Sequence, residues 1–332
     1  MKLAWKLIAL TLGLGLFAWY LAGIDLKAVW ELLRRLGWYT PLVLVPYLLV
    51  YVVDCIGWRC CFPPGFKVRF AALFHIRWIG EAVNNILPSA YVGGEAVKVY
   101  LLKKRGVDTK IGTSSAVVSK TAQSAAQLIF ILLGSLVFLN LGREQPGLRR
   151  GMLLVLIGGS VVLAGLFWLQ NRGLFASLLK VVDALPFKLA ALQKRRAHLL
   201  EVDDSVTDFY RHHRARFFAS MGFYMCGWLM DTLEILLVSH LLGMPITWPQ
   251  ALAVEAFTSV AKILGMWVPG SLGVQESGIV MLGRFAGLPD NLSVAYALIR
   301  RARELFFALV GWLLFSSSRV DLKGLKADAA KQ

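Results

Sequence analysis

The chain has 332 residues, 57% of them hydrophobic, and a formal net charge of +16, with a mean hydropathy of +0.62. Soluble domains are about 45–50% apolar, and several apolar runs here reach the roughly 20 residues that cross a bilayer as a helix. These values exclude an ordinary soluble domain. They predict an all-α polytopic membrane protein, since a β-barrel would show short alternating segments. Much of the excess positive charge lies in loops beside the apolar runs, as the positive-inside rule expects of a membrane protein. The charge therefore does not indicate binding to nucleic acid.

The apolar runs predict about six full spans and two interrupted regions. The predicted spans, in chain order, are residues 3–22, 40–58, 112–139, 152–170, 217–242 and 292–315. The interrupted apolar regions are residues 70–104 and 249–286, which proline and glycine break within the motifs at 84–106 and 268–287. Each predicts a re-entrant hairpin or a pair of full crossings. Residues 25–37 are expected to form a short polar connection.

The chain therefore divides into two membrane halves joined by a polar connector. The segments are an N-terminal anchor at 1–24, a first half at 38–170, a cytoplasmic amphipathic connector at 171–216, a second half at 217–318 and a basic tail at 319–332. The anchor is expected to stay uncleaved, because its apolar stretch is too long for a typical signal peptide. Apolar residues recur in the connector at three- and four-residue steps, which predicts a helix on the membrane surface. The Lys- and Arg-rich loops place both termini in the cytoplasm.

The motifs that break the two interrupted regions form a weak internal repeat. The first reads "NNILPSAYVGGEAVKVYLLKKRG" (84–106) and the second reads "VPGSLGVQESGIVMLGRFAG" (268–287). In each, a glutamate follows a proline by seven residues. An ungapped alignment from the prolines onward is identical at six of 33 positions and places Lys120 on Arg301. Three predicted spans separate the copies, so they would enter from opposite faces as an inverted repeat, whose broken helices mark a transporter's binding site.

Broken helices at membrane depth have a physical use. Lipid cannot satisfy free backbone N–H and C=O groups, so non-helical backbone must be buried in protein or line a watery cavity. A helix that restarts after Pro88 or Pro269 points free N–H groups, and the positive end of its dipole, into that cavity. The motifs therefore predict a site that attracts an anionic headgroup. The alternative is a kinked span without a function.

Ionisable side chains inside the apolar regions strengthen this prediction, because charges at membrane depth are costly and by default mark function. The candidates are Glu81, Glu95, Lys98, Lys120, Glu255, Lys262, Glu276, Arg300, Arg301, Arg303 and Glu304, with Asp54, Asp231 and Glu234 as further ones. Asp54 and Lys262 are given less weight, since they fall near the expected interfaces. Lysine and arginine would hold a phosphate, and the glutamates would bind an amine, carry a proton or restrain the cations. The alternative is a set of salt bridges that only join helices.

The two motifs resemble the signature of the lysylphosphatidylglycerol synthase/flippase transmembrane domain family, and the similarity runs through nearly the whole chain in span order. The stretch "RWIGEAVNNILPSAYVGGEAVKVYLLKKRGV" also resembles a subgroup associated with hopanoid biosynthesis. The resemblance implies a stand-alone membrane domain of the bacterial inner membrane that moves lipids between leaflets. It implies roles for Asn84, Pro88, Ser89, Gly93, Gly94, Glu95, Pro269, Gly270, Gly273 and Glu276.

Two departures from the family pattern bear on function. Positions that are arginine in many relatives are Lys98 and Lys120 here, and lysine lacks the bidentate fork with which arginine binds phosphate. The soluble aminoacyl-transferase domain of the full-length synthases is absent from this sequence. We therefore expect no synthesis of lysyl-lipid.

These inferences predict a lipid translocase, or flippase-like transporter. Its cargo would be a lipid with an anionic or zwitterionic headgroup, or an isoprenoid lipid, with lipid-biosynthesis enzymes as candidate partners. The predicted substrate-binding residues are Glu81, Asn84, Pro88, Ser89, Gly93, Gly94, Glu95, Lys98, Lys120, Pro269, Gly270, Gly273, Glu276, Arg300, Arg301 and Glu304.

No cofactor, metal or catalytic residue is predicted. The four cysteines form no C-x-x-C, and the five histidines show no metal-ligand spacing. One alternative is a membrane enzyme acting on a lipid-linked substrate, such as a polyprenyl-phosphate glycosyltransferase, with Asp203 and Asp204 as its acidic pair. Another alternative is a scaffold for a lipid-synthesis complex.

Overall fold

A computed structural model describes residues 26–65, 68–86, 92–141, 146–172, 196–265, 268 and 271–317. Every regular element within these ranges is a helix, which confirms the predicted all-α class. The α-helices, in chain order, are α1 (Leu26–Leu36), α2 (Leu44–Cys60), α3 (Phe70–Ile86), α4 (Val92–Lys104), α5 (Thr109–Leu141), α6 (Pro146–Arg172), α7 (Arg196–His212), α8 (Arg214–Leu241), α9 (Trp248–Leu264), α10 (Val274–Phe285) and α11 (Asp290–Ser317). A 3-10 helix, Gly37–Val43, joins α1 to α2.

Four described segments are helical, long and apolar enough to cross a membrane. They are Leu33–Cys60, Thr109–Leu141, Arg149–Leu169 and Arg214–Leu241. The predicted span 292–315 lies within α11, which has 28 residues and is long enough at about 1.5 Å per residue. Its centre carries several charged side chains, which lower its hydropathy. The predicted anchor at 1–24 and the basic tail at 319–332 lie outside the described residues.

Residues 25–37 differ from the expected polar connection, because most of them form α1. Apolar residues recur along α1 at three- and four-residue steps. Leu36 is buried in the largest hydrophobic cluster, and Leu33 packs against it. The charged side chains of this segment therefore occupy the outer face of a packed helix, and α1 also contacts α11.

Each interrupted region folds as two helices packed against each other, α3 with α4 and α9 with α10. The first pair approaches closely at Gly94, where a Cβ would meet the Gly80 carbonyl oxygen and the Asn84 side chain. The Gly94 N–H donates a hydrogen bond to Asn84 Oδ1 at 2.8 Å. The second pair approaches at Gly278, where a Cβ would lie 2.7 Å from the Cβ of Ala261. A small residue on the second helix is what lets each hairpin close.

The two halves repeat one packing pattern. Helices α2 to α5 contact one another in sequence order, and α8 to α11 do the same; between the halves, α5 packs on α9 and α11 packs on α3. Helices α2 and α8 are antiparallel, since Cys61 Sγ lies 3.2 Å from Ser220 Oγ near the start of α8, whereas Asp54 lies beside Gly227 further along it. Corresponding helices run in opposite directions when an axis in the membrane plane relates them, so this packing matches the predicted inverted repeat.

Small residues also allow the contacts between the halves. A Cβ on Gly134 of α5 would meet Ala256 of α9, and a Cβ on Gly311 of α11 would lie 2.9 Å from a ring carbon of Trp78 in α3. Membrane helices associate by close packing rather than by burial from water, and small residues let their backbones approach. Helix α6 is largely unburied, so its apolar side chains provide a surface for lipid.

The described part of the connector is α7, whose apolar face packs on protein. Val202, Val206 and Phe209 are buried in a hydrophobic cluster that they share with Val118 of α5 and Phe217 of α8. Helices therefore cover this face in place of lipid headgroups. Residues 173–195 of the connector lie outside the described residues.

Candidate functional site

A cavity of about 340 Å³ lies inside the bundle, where the two halves meet. Its wall contains residues of α2, α3, α4 and α5 from the first half and of α8, α9 and α11 from the second. The charged lining residues are the six cations Arg77, Lys98, Lys120, Lys262, Arg300 and Arg303 and the four carboxylates Asp54, Glu81, Glu95 and Asp231. Charges at membrane depth are costly and mark function by default, so this cavity is the strongest candidate site among the described residues.

Helix α5 contributes a polar stripe to the cavity. Lys120, Gln123, Ser124 and Gln127 all line it. They are separated by three, four and seven residues, which places them on one face of a helix. Ala122 is fully buried on another face. The sequence of this otherwise apolar helix therefore fixes which face must turn toward polar surroundings.

Two ion pairs belong to the first half. The buried side chains of Asp54 in α2 and Arg77 in α3 form one pair, and the Arg77 guanidinium lies 4.4 Å from the ring centroid of Tyr51. Lys98 Nζ and Glu95 Oε1, 2.8 Å apart, form the other pair within α4. The first pair joins two helices, whereas the second orders two side chains one turn apart on the same helix face.

Glu81 lies among the cations of the cavity. It lines the wall and interacts electrostatically with Arg77, Lys262, Lys98 and Lys120. These four residues belong to four different helices, α3, α9, α4 and α5. One carboxylate is therefore the common neighbour of cations from both halves.

Carboxylates lie behind the arginines of the second half. Arg300 Nη1 donates a hydrogen bond to Glu255 Oε2 at 2.5 Å. Arg303 pairs with Glu234, and its Nη1 lies 3.4 Å from Asp231 Oδ1. Glu255 and Glu234 are fully buried, so each depends on its guanidinium partner, and removing one partner would leave an uncompensated charge.

The second motif is held by contacts away from the cavity. Glu276 Oε2 accepts a hydrogen bond from the Gly273 N–H at 2.7 Å, and Glu276 Oε1 pairs with Arg301. Arg301 Nη1 lies 3.0 Å from Glu304 Oε2, and Gln275 Nε2 donates to Glu304 Oε1 at 2.9 Å. Gly273 has a φ of +79°, a left-handed conformation that glycine adopts without a Cβ penalty. The glycine and the glutamate together begin α10.

The aligned motifs place corresponding side chains in corresponding contacts. The matched residues are Glu95, Lys120 and Gln123 in the first half and Glu276, Arg301 and Glu304 in the second. Lys120 Nζ donates to Gln123 Oε1 at 3.0 Å and interacts electrostatically with Glu95. In the second half a guanidinium makes both of these contacts. Of these two trios, only the first lines the cavity, so the two halves contribute differently to the site.

The predicted substrate-binding residues fall into three groups. Those that line the cavity are Glu81, Glu95, Lys98, Lys120 and Arg300. Those that are described but do not line the cavity are Asn84, Gly93, Gly94, Gly273, Glu276, Arg301 and Glu304. Those that lie outside the described residues are Pro88, Ser89, Pro269 and Gly270.

The cavity also contains residues that the sequence analysis does not select. Arg77 is one, although it lies four residues before Glu81 and so shares its face of α3; that spacing is the signal that could have found it. Asp54 and Lys262, given less weight as interfacial residues, both line the cavity. Trp58 lines it too, and no sequence signal separates a cavity tryptophan from one that anchors a helix at the interface.

A second pocket, of about 430 Å³, lies where α7 meets the start of α5 and the turn after α2. Asp204 lines it, whereas Asp203 is buried. The acidic pair of the enzyme alternative is therefore split between two environments. Across the described ranges, no three His, Cys, Asp or Glu side chains come together in a group that could hold a metal ion.

The similarity of the sequence to known proteins covers the whole of this site. A sequence model of the family described as "Lysylphosphatidylglycerol synthase TM region" matches residues 6–311. The chain belongs to this family. The matched range contains both motifs and all the residues that line the cavity.

Relatives with known sequences are similar over most of their length. A UPF0104 membrane protein of Pyrococcus horikoshii is 22% identical over 326 residues, which cover 94% of this chain and 96% of that protein. One from Methanocaldococcus jannaschii is 21% identical over 290 residues, 84% of each chain. One from Methanothermobacter thermautotrophicus is 22% identical over 242 residues, 69% of this chain and 70% of that protein.

The family match confirms the family that the two motifs predict. Together with the apolar helices, it also confirms a multi-pass membrane protein. The relation to the hopanoid-associated subgroup stays a prediction.

Proposed function

We propose that this chain is a lipid translocase, which moves a phospholipid or an isoprenoid-type lipid between the leaflets of the bacterial inner membrane with both termini in the cytoplasm. The observation that carries the proposal is the charged cavity at the meeting of the two halves. The cavity offers a lipid headgroup a polar path, so that the headgroup need not cross hydrocarbon. The acyl or isoprenyl chains remain in the bilayer.

The size of the cavity supports a headgroup as its occupant. A volume of about 340 Å³ falls at the lower end of the roughly 300–1,000 Å³ of small-molecule sites. The exposed apolar surface of α6 and α11, including Leu154, Ile157 and Leu309, lies against lipid in this proposal. Headgroup and chains thus meet surfaces of matching polarity.

The repeat supports movement between two arrangements. Transporters built from inverted repeats alternate by rocking one repeat against the other around a central site. Here the first trio lines the cavity, whereas Glu276, Arg301 and Glu304 pair with one another away from it. In the opposite arrangement the second trio would line the cavity and the first would be packed away from it. The sequence carries no Walker motif, so this exchange would run passively or with an ion gradient.

Reconstitution tests the proposal directly. The purified protein is placed in liposomes with fluorescent phospholipids and isoprenoid lipids, and a membrane-impermeant quencher follows the loss of protection of the lipids in the inner leaflet. We expect protein-dependent exchange of at least one lipid class. Glu95→Gln and Glu276→Gln should each slow exchange by at least about tenfold, equivalent to about 1.4 kcal/mol. Glu201→Gln, on the exposed face of α7, is the matched control and should exchange lipid at the parent rate.

The other outcomes separate the alternatives. A lipid that is recovered chemically altered, as mass spectrometry would detect, favours a membrane enzyme. Liposomes in which no lipid moves, or in which both glutamine variants match the parent, contradict translocation through this cavity and favour a scaffold.

A further inference from the structure

We propose that Asp231, Glu234 and Glu255 together hold one exchangeable proton, and that this proton is the ion that drives lipid movement. These three side chains form the acidic cluster. The inference rests on the proposed function and names its driving ion. The proton comes from the aqueous phase and forms one O–H bond on a carboxylate oxygen, and no other bond changes.

Among the described residues, carboxylates outnumber cations in the ion-pair network of the second half. The cations of this network are Lys262, Arg300, Arg301 and Arg303, and the carboxylates are Asp231, Glu234, Glu255, Glu276 and Glu304. The charged cavity residues of the first half are balanced, with Arg77, Lys98 and Lys120 against Asp54, Glu81 and Glu95. A charge without a counter-charge is costly inside a membrane. The odd carboxylate of the second half is therefore expected to be neutralised.

The excess carboxylate belongs to the acidic cluster. Arg301 pairs with both Glu276 and Glu304, and Lys262 interacts electrostatically with Glu304, so these two carboxylates are matched by two cations. Lys262 also interacts with Asp231, but one ammonium offsets only one carboxylate. The three carboxylates of the acidic cluster therefore share the two remaining guanidinium groups.

The hydrogen bonds of the acidic cluster agree with one neutral member. Glu234 and Glu255 are fully buried, and Oε1 of each has no hydrogen-bond partner among the described residues. The other oxygen of each contacts a guanidinium group, of Arg303 and Arg300 respectively. A buried carboxyl group without enough counter-charge takes up a proton instead of staying ionised. One proton on the cluster brings the network of the second half to neutrality.

A metal cation fits the acidic cluster less well than a proton. Hard metal cations surround themselves with six or more oxygen ligands. Within the part of the chain that the structure describes, no three His, Cys, Asp or Glu side chains form a group that could hold a metal ion. A proton needs only one oxygen, so it can neutralise a carboxylate where a metal ion has no room for its ligands.

Asp231 gives the proton a route between the cavity and the cluster. It lines the cavity and keeps 9% of its side-chain surface exposed. Glu234 stands three residues further on the same face of α8, and Nη1 of Arg303 contacts both carboxylates. Asp231 also interacts electrostatically with Glu255 of α9. A proton that reaches Asp231 from the cavity can therefore pass to the buried members of the cluster.

The cluster is placed to link the proton to helix packing. Asp231 and Glu234 belong to α8 and Glu255 to α9, whereas their partners Arg300 and Arg303 belong to α11. A proton on the cluster weakens the attraction between α11 and the other two helices. The two protonation states therefore favour different packing within the second half, and such a differential affinity is what a ligand needs to shift a conformational equilibrium.

The other charged and titratable groups around the cluster are part of the same balance. Those that face the cluster or its arginines are Tyr47 of α2, Lys262 of α9, and Tyr296 and Glu304 of α11. Glu276 of α10 pairs with Arg301. The cavity charges of α3 and α5 belong to the balanced first half, α7 packs near the start of α8, and the charged side chains of α1 are exposed.

Infrared spectroscopy of the purified protein tests the site, because a carboxylic acid absorbs apart from a carboxylate. We expect a band from one buried carboxylic acid at neutral pH, which shifts when the solvent is deuterated. Asp231→Asn, Glu234→Gln and Glu255→Gln should each remove this band, since two carboxylates then face two guanidinium groups. Glu201→Gln, on the exposed face of α7, is the matched control and should keep the band.

A charge-neutral double variant separates the charge balance from a property of one residue. Glu255→Gln combined with Arg300→Gln leaves two carboxylates and one guanidinium group, so the band should persist although Glu255→Gln alone removes it. A parent protein without the band, or a band that survives all three single substitutions, would overturn the proton site.

A pH gradient across the liposomes tests the coupling. Valinomycin and potassium hold the membrane potential at zero, and the impermeant quencher reports the fraction of fluorescent lipid in each leaflet. For one proton per lipid, a difference of one pH unit should shift the ratio between leaflets by up to about tenfold, whereas a sodium gradient should not shift it. Glu234→Gln should lose the response, and Glu201→Gln should keep it.

The outcomes keep this inference separate from translocation itself. Lipid that exchanges but stays evenly distributed under a pH gradient, or that responds to sodium alone, would overturn the proton as driving ion and leave the translocase standing. If no lipid moves while the infrared band appears in the parent and disappears in the single variants, the translocase fails and the proton site is supported.

Discussion

Glu81 and Lys262 occupy corresponding positions in the two halves, each seven residues before the proline of its motif, and their side chains line the same cavity and interact electrostatically. The two halves therefore carry opposite charges at matching positions. The strength of an interaction between side chains of different halves depends on the position of one half relative to the other. The interaction of Glu81 with Lys262 is therefore sensitive to any movement between the halves.

Exchange of these two charges should show their coupling. Glu81→Lys would add a cation beside Arg77, Lys98 and Lys120, and we expect it to abolish lipid exchange and lower the melting temperature. Lys262→Glu should do so less severely. The double exchange should recover part of the loss, with a coupling free energy of about 0.5–3 kcal/mol, the range for residues that interact. Strict additivity in a double-mutant cycle of melting temperatures would contradict the interaction.

The Asp54–Arg77 pair should be essential to stability. Asp54→Asn removes the carboxylate that forms the ion pair with the buried Arg77 guanidinium, and breaking a buried pair in this way destabilises by about 3–5 kcal/mol. Asp54→Asn combined with Arg77→Gln should be milder, because no uncompensated charge remains. Denaturation in detergent micelles measures both. Asp204→Asn, at an exposed position of α7, is the control, and equal losses in the single and double variants would argue against the pair.

Gly94 should tolerate no side chain. A Cβ there would meet the Gly80 carbonyl oxygen and the Asn84 side chain, so Gly94→Val should open the α3–α4 hairpin. We expect a loss of about 1–3 kcal/mol or more from overpacking, seen as a lower melting temperature and lower yield. Gly158→Val is the matched control, since a Cβ at Gly158 of α6 meets nothing within 4 Å. An unchanged Gly94→Val protein would mean that the hairpin is less tightly closed.

The two aligned cations should differ in their response to exchange between arginine and lysine. Arg301 engages both Glu276 and Glu304, and a lysine cannot reproduce that fork. Arg301→Lys should therefore cost about 1.5–3 kcal/mol, the contribution of a hydrogen bond to a charged group. Lys120→Arg should be tolerated, because its ammonium contacts the neutral amide of Gln123 and an arginine can replace that contact. Equal melting temperatures for the two variants would show that the halves are not specialised.

The apolar spans and the broken hairpins follow from the sequence, because each depends on residues that are close together in the chain. Helices α5 and α8 need only a long apolar run, and the α3–α4 and α9–α10 breaks need only a proline and glycines. The polar stripe of α5 is local too, since Lys120, Gln123 and Gln127 share a face through helix geometry alone. The correspondence of Glu95 with Glu276 is likewise visible as an equal spacing from a proline.

The tertiary structure decided which charges share a cavity and which are closed away from it. Asp54 meets Arg77 across 23 positions, and Glu255 meets Arg300 across 45, pairings that local pattern cannot supply. Only the packing of the halves puts the first trio at the cavity and the second behind it. The physical reason is the same throughout: helix periodicity sets the face on which a side chain stands, whereas the neighbour of that face depends on how distant helices pack.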